Sequence, residues 1–482
     1  MIDLRPIFFV CGLLLTTLSA AMLVPALVDV VSGSAGWRVF VGSAAITLFI
    51  GMTLILTNRI GRSPMSVRQA FLLTSTSWMV IAVFGALPFA FSSLELSYTD
   101  AFFEAMSGIT TTGSTVILGL DNTPPGILIW RSILQWLGGI GFIVTAVAIL
   151  PMLQVGGMQL FRAESSEKSE KAMPRVAQIA TGIALIYLAF TATISVALWL
   201  AGMTAFDAAA HAMTTIATGG FSTRDLSIAY YDSTLVDAIL ICGMVAGGIP
   251  FALYLQAVRG RIWLLLGDSQ VRWFLAILTC AISVLALANS ILNGLPLLAA
   301  IRYSAFNAVS VMTGTGYATS DFSGWGPFAN AAFFFLMFVG GCAGSTTCGV
   351  KVFRFQILYA AARAQIERLI QPHGVFVAYY NRRPISEQVM DSVMAFFFIY
   401  AVSFAALALA LGIIGLDMIT ATSGAATAIS NVGPGLGPTI GPAGTFATLP
   451  DAAKWVLSFG MLLGRLELFT VLVLFIPAFW RG

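Results

Sequence analysis

"GAATAISNVG", residues 424–433, ends on a glycine that closes three other stretches in the same way: "EAMSGITTTG" (104–113), "HAMTTIATGG" (211–220) and "NAVSVMTGTG" (307–316). Set in one frame, the four align without a gap. Their second position is always alanine (Ala105, Ala212, Ala308, Ala425) and their fourth always carries a hydroxyl (Ser107, Thr214, Ser310, Thr427). Gly113 lies 107 positions before Gly220, Gly220 lies 96 before Gly316, and Gly316 lies 117 before Gly433. Each interval suits two membrane-spanning helices and their connecting loop, so the chain reads as repeated units.

The surrounding composition sets where such units can live. The 482 residues are 58% hydrophobic and 9% charged, against about 25% charged for a soluble domain. Apolar runs cover residues 7–30, 39–56, 70–91, 126–150, 176–200, 235–255, 273–292, 327–340, 390–414 and 451–479. Nearly all are long enough to cross a hydrocarbon layer as helices. The first run follows Arg5 but is too long for a signal peptide and shows no small-residue cleavage site, so it reads as a retained helix. The five cysteines (Cys11, Cys242, Cys280, Cys342, Cys348) have neither metal-ligand spacing nor evident pairing.

Charge orients the runs. Eighteen of the 24 Lys and Arg fall near the two ends (Arg5, Arg481) or in alternate loops around 59–68, 162–175, 259–272 and 351–383. Short basic loops stay in the cytoplasm, which places both termini and these loops inside. The opposite loops carry Asp29, Glu95, Asp100, Glu104, Asp121, Asp207, Asp225, Asp232, Asp237, Asp321, Asp417 and Asp451. Those acids either draw cations to a mouth or merely reflect loops free of Lys and Arg. The inner stretches 164–175 and 355–383 are polar enough to receive a cytosolic partner.

Each glycine segment then sits on the outer side, between a helix that leaves the cytoplasm and one that returns. Too short and too rich in Gly and Thr to span, it must dip in and come back. Irregular backbone at membrane depth survives only where protein buries it or water reaches it. Four such segments can meet on an axis and line a pore. The expected fold is an all-α polytopic membrane protein: a leading helix pair (1–69) and four helix, pore loop, helix units (70–165, 166–268, 269–383, 384–482) around one central pore.

These residue types suit a cation filter. A desolvated cation needs oxygen ligands, which backbone carbonyls supply when aimed at the axis, and glycine permits the positive φ that such aiming requires. The expected filter comprises Thr111, Thr112, Gly113, Thr218, Gly219, Gly220, Thr315, Gly316, Asn431, Val432 and Gly433. Short helices starting near Asp100, Asp207, Pro296 and Asp417 would turn their negative C-terminal ends toward the cation. "NVGPGLG" (431–437) nearly spells a potassium-channel filter, yet that likeness is the part the other segments share least, so selectivity looser than a fourfold-symmetric filter is expected.

"SGITTTGSTVI" (107–117), "QWLGGIG" (135–141), "TIATGGFST" (215–223), "TGTGYAT" (313–319), "GGCAGSTTCGVKVFR" (340–354), "SNVGPGLG" (430–437) and "GRLELFT" (464–470) resemble the Trk, Ktr and HKT superfamily of potassium transporters, its bacterial TrkH branch most closely. The resemblance covers essentially the whole chain. It implies that Gly113, Gly220, Gly316 and Gly433 are filter glycines and that potassium is the ion bound. It also implies a homodimer with one pore per protomer in the bacterial inner membrane, and a cytosolic TrkA-like nucleotide-binding regulatory subunit. The lipid bilayer is the remaining partner; no nucleic acid is expected.

The same resemblance makes residues 340–349 an intramembrane gate loop beneath the filter, with Gly340, Gly341, Cys342, Ala343, Gly344, Ser345 and Thr346 forming it. Thr347 and Cys348 stand where the family usually has glycine, which predicts a stiffer loop. A phosphate-loop reading of Gly344–Lys351 fails, because Val350 separates Gly349 from Lys351 and no Ser or Thr follows. Arg465, central in the last run, is expensive at membrane depth and so faces a cavity or a partner. It acts either as an electrostatic barrier in the path or as a structural cation. Glu467, two positions on, points elsewhere on a helix and is not its mate. Lys351 is either part of the gate or another inner-face anchor. His211 and His373 lack the company of a catalytic or metal site and read as structural.

The chain therefore reads as a potassium uptake channel or transporter subunit and not as an enzyme. A symporter coupling potassium to sodium or protons by alternating access is the alternative. Such folds usually carry two repeats with broken helices, whereas four outer loops favour a pore.

Overall fold

In the computed structural model the described residues are 2–59, 65–148, 172–381 and 383–481; side chains of 144–148 and 172–177 are not described. Most of the expected docking stretch 164–175, together with Arg62 and Arg382, therefore lies outside them.

The described chain is almost entirely helical. Helices α1 (Arg5–Val31) and α2 (Trp37–Thr57) form the leading pair and pack on each other and on α3 (Val67–Gly85). Ser66 starts α3 with a reciprocal cap, its hydroxyl accepting from Gln69 N–H while the Gln69 side chain accepts from Ser66 N–H. The order then continues as α4 (Tyr98–Ile109), α5 (Pro125–Ala148), α6 (Ala172–Leu200), α7 (Ala205–Ile216), α8 (Thr234–Gly247), α9 (Phe251–Val258), α10 (Ser269–Leu292), α11 (Leu297–Met312), α12 (Pro327–Leu336), α13 (Val352–Ile370), α14 (Glu387–Ile413), α15 (Met418–Ser430), α16 (Asp451–Arg465) and α17 (Leu468–Leu472). Seven described helices are long and apolar enough to span a bilayer, and two bent pairs bring the number to nine. This is a multi-pass, all-α membrane protein. Residues such as Phe398, Leu409 and Ile413 on α14 are more than half exposed in the isolated chain, as suits a helix that faces lipid tails or another membrane chain.

Three of the ten expected runs are not straight helices. Residues 235–255 bend by 97° between α8 and α9, and 451–479 bend by 116° after Arg465. The first break is written in "GGIP": Pro250 cannot donate to a helix and pushes Ile249 out of helical geometry. The second rests on Glu467, whose φ of +61° ends α16. Run 327–340 yields only the ten-residue α12 before the chain unwinds. Helical periodicity alone does not report such breaks.

Two large apolar clusters carry most of the packing, beside a small one around Ile7, Cys11 and Phe479. One joins the leading pair to α4, α5, α15 and α16 through residues such as Phe40, Trp130, Phe103, Ile429 and Met461. The other joins α6–α8 with α10 and α11 through Tyr187, Met244, Phe274 and Phe306. The four glycine segments meet along the seam between them.

Candidate functional site

Each glycine segment is a short helix followed by a sharp turn. α4, α7, α11 and α15 are capped at their N-terminal ends by Ser97, Thr204, Pro296 and Asp417, three of them through a side-chain oxygen that accepts a backbone N–H. The exposed Asp417 carboxyl is held below the usual carboxylate range by the Thr420 side chain and its backbone N–H.

The turns then repeat atom for atom. Two residues before each glycine the backbone takes positive φ, at Thr111 (54°), Thr218 (51°), Gly314 (68°) and Asn431 (52°), and it does so again at Gly113 (89°), Gly220 (76°), Gly316 (84°) and Gly433 (107°). The residue between, Thr112, Gly219, Thr315 or Val432, donates its N–H to the carbonyl of the shared hydroxyl residue, Ser107 (2.9 Å), Thr214 (2.9 Å), Ser310 (2.8 Å) or Thr427 (3.1 Å). A positive φ at a non-glycine costs energy, so three such residues at one aligned position mark a selected geometry.

The four turns close on one another. A Cβ on Gly113 would lie 2.2 Å from the Gly219 carbonyl oxygen, and one on Gly220 would lie 1.7 Å from that of Thr315. On Gly316 it would lie 2.2 Å from the Val432 oxygen, and on Gly433 2.8 Å from the Thr112 oxygen. First meets second, second meets third, third meets fourth and fourth meets first. The expected filter residues are thus brought into one ring of glycines and carbonyls. Gly314, absent from that expectation, completes the set of left-handed turns, and the signal was its alignment with Thr111, Thr218 and Asn431.

Side chains from outside the segments brace the ring. Gln135 on α5 donates to the Gly219 carbonyl (2.5 Å) and accepts from Phe221 N–H (3.0 Å). Asn431 donates to Thr112 Oγ1 and to the Met461 carbonyl, both at 2.8 Å, and Ser114 Oγ donates to the Gly433 carbonyl at 2.7 Å. The strand leaving each turn is tied back to its own helix: Glu104 takes Val116 N–H, Asn307 takes Thr319 N–H and Ser423 takes Leu436 N–H. In the second segment His211 bonds Ser222 Oγ at 3.0 Å, which gives His211 its structural role.

Of the acids expected at a mouth, Asp29, Glu104, Asp207 and Asp237 are buried. Glu104, Asp207 and Asp237 pair with Arg131, Arg224 and Arg302, and Asp29 accepts from Gly126 N–H. They brace helices and present no charge to solvent.

Beneath the ring the symmetry stops. Residues 340–349 form a loop pinched at its base, where Gly340 N–H meets the Val350 carbonyl (2.9 Å) and Val350 N–H meets that of Phe338 (3.0 Å). It docks on the break in α8–α9. Cys342 and Thr346 donate their N–H groups to the freed carbonyls of Gly248 and Gly247, and Phe251 N–H donates to the Gly344 carbonyl. Gln270 Oε1 accepts from Ala343 N–H, and Gly341's carbonyl accepts from Val352 N–H. Thr346 Oγ1 reaches the carbonyls of Ile216 (2.9 Å) and Gly247 (3.0 Å), linking the loop to the second glycine segment.

Arg465 arrives from the opposite side. Fully buried, it donates to the carbonyls of Thr346 (3.1 Å) and Gly138 (2.8 Å) and to Cys348 Sγ (2.7 Å), and it lies over the Phe142 ring at 4.4 Å. The structure thus brings Arg465 and the expected gate residues together. Glu467 bonds Arg354 at 2.6 Å and not Arg465. Lys351 is buried, with its ammonium on the Thr347 carbonyl, so it is no solvent-facing anchor. Thr347 also shares a hydroxyl bond with Ser345 (2.7 Å), so both residues expected to stiffen the loop make side-chain contacts.

The family model described as TrkH, cation transport protein, matches residues 37–481. The chain belongs to the TrkH family. It is 47% identical to the Trk system potassium uptake protein TrkI of Halomonas elongata, over 99% of this chain and 97% of that protein. It is 39% identical to the Trk system potassium uptake protein TrkH of Salmonella typhimurium, over 99% of each. The crystal structure of the potassium transporter TrkH from Vibrio parahaemolyticus matches with a TM-score of 0.92 at 38% identity, over 99% of this chain and all of that one. The TrkH family consists of transport proteins, not enzymes.

Proposed function

We propose that this chain takes up potassium through a pore that passes the four-glycine ring and then the 340–349 loop. The observation that carries the reading is the closed ring: four carbonyls, at Thr112, Gly219, Thr315 and Val432, each against the preceding segment's glycine, with Thr112 closing on Gly433. Such a ring replaces a potassium ion's hydration shell with backbone oxygen, and the C-terminal ends of α4, α7, α11 and α15 add favourable potential. The named potassium relatives support the choice of ion. Under this reading residues 70–165, 166–268, 269–383 and 384–482 are the pore units. The protein sits in the bacterial inner membrane with both termini inside, as a homodimer regulated by a TrkA-like nucleotide-binding subunit.

In this scheme the 340–349 loop and Arg465 form the gate. The guanidinium opposes a cation leaving the ring, and movement of the loop carries its Thr346 and Cys348 contacts aside. The bends in α8–α9 and after α16 resemble those of alternating-access carriers, which keeps coupled symport as a second reading. Rubidium uptake into proteoliposomes, with sodium as competitor and with sodium or proton gradients imposed, tests both. Selective uptake without either gradient is expected. Uptake that is absent, or equal for both ions, overturns the selective pore, and uptake that requires a gradient establishes symport.

A further inference from the structure

The bracing of the ring is uneven in one respect. Behind the third and fourth turns the tie between helix and outgoing strand is made by uncharged groups, Asn307 and Ser423, and behind the second His211 is joined by an Asp207–Arg224 pair whose arginine is 24% exposed. Behind the first it is a buried ion pair. Glu104 is 0% and Arg131 1% exposed, with Arg131 Nε 2.8 Å from Glu104 Oε1. The arginine also reaches across the ring's first joint, donating to the Ser222 carbonyl of the second turn (2.7 Å) and to Thr115 Oγ1 (3.1 Å), with its guanidinium 4.1 Å over the Phe221 ring. Glu104 meanwhile holds Val116 N–H (2.9 Å) and the Thr115 hydroxyl (3.0 Å). One fork therefore grips the strands leaving both the first and the second turns.

A buried pair of this kind gains little net stability over an apolar substitute. It fixes distance and direction instead, because a planar guanidinium holds several acceptors in set geometry. We infer that Glu104 and Arg131 are positioning residues that set the spacing between the first and second turns, and thereby the discrimination of potassium from the smaller sodium ion. The inference rests on the ring being the selective element. A carbonyl ring rejects sodium only while its oxygens resist closing in. The other charged ties around the ring, Arg224–Asp207, Arg302–Asp237 and Lys454–Asp100, each leave one partner 20% or more exposed.

The test uses full-length protein in proteoliposomes and measures rubidium uptake against sodium competition for wild type, Glu104→Gln, Arg131→Lys and Thr115→Val. Glutamine keeps one acceptor for Val116 N–H but loses the charge. The Thr115→Val change removes the hydroxyl shared by both partners without burying an unpaired charge, so it reads out even where the charge variants do not fold. Glu104→Gln is expected to strengthen sodium competition by about tenfold, the scale of one lost charge-assisted hydrogen bond, Arg131→Lys by less, and Thr115→Val by about threefold. Folded variants that lose uptake with an unchanged rubidium-to-sodium ratio would overturn the inference, as would an unchanged ratio in Thr115→Val. Wild type that does not prefer rubidium would instead overturn the selective ring itself.

Discussion

The ring and the layer beneath it are built on opposite plans. In the ring, four segments repeat the same two left-handed backbone positions and the same N–H to carbonyl bond, and each contributes one glycine and one carbonyl. One step below, each unit contributes something different: α5 gives a carbonyl at Gly138, α8–α9 a break, the third unit a loop, and α16 an arginine. Repetition suits a task that must look alike from every side, such as surrounding a spherical ion. Under the proposed gate, a movable part needs a unique hinge and a unique latch, and a single polypeptide can place them without copying them four times.

The largest effect that would break this contrast lies in the ring. Gly220→Ala puts a methyl 1.7 Å from the Thr315 oxygen at a φ of +76°, so Thr315 must move. Rubidium selectivity in proteoliposomes should be abolished, with about 1–3 kcal/mol of backbone strain added. Gly433→Ala, at 2.8 Å, should be the mildest of the four, and equal effects at both sites would contradict the unequal joints.

In the lower layer the opposite sign is expected. Arg465→Gln removes the buried charge from three acceptors and should raise uptake by about tenfold, if the arginine imposes a barrier of about 1.4 kcal/mol. Unchanged flux in a folded variant would assign Arg465 to structure alone. Cys348→Gly removes one Arg465 contact, so a rise of about threefold is expected under the same assay. The smallest change is Thr346→Val, which deletes the single hydroxyl proton shared between the Ile216 and Gly247 carbonyls, worth about 1 kcal/mol. It should shift the thermal midpoint by a few degrees and raise basal uptake slightly, with the rubidium-to-sodium ratio unaltered.

What could be read from the sequence follows the same divide. Alignment of Gly113, Gly220, Gly316 and Gly433 located the ring, because repetition supplied four votes for each position. Ala105, Ala212, Ala308 and Ala425 are all buried, and the shared hydroxyl residue supplies the carbonyl that fixes each turn. The unique parts left weaker traces. "GGIP" signalled the break after Gly247, but nothing local announced that Glu467 would end α16 or that its partner would be Arg354, 113 residues earlier. Glu104 looked like an outer-loop acid, since its mate Arg131 lies 27 residues on and sequence spacing carries no information about contacts across a ring.

The closed order of the four turns bears on how the protein is made. The last joint, between the fourth turn and the first, is tied by Ser114 to Gly433, Asn431 to Thr112 and Lys454 to Asp100, so it links residues separated by more than 300 positions. A ribosome finishes Gly433 long after the first three turns have entered the bilayer. Until then the growing chain holds three sides of a circle. The closed ring can form only near the end of synthesis, once the fourth turn meets the first.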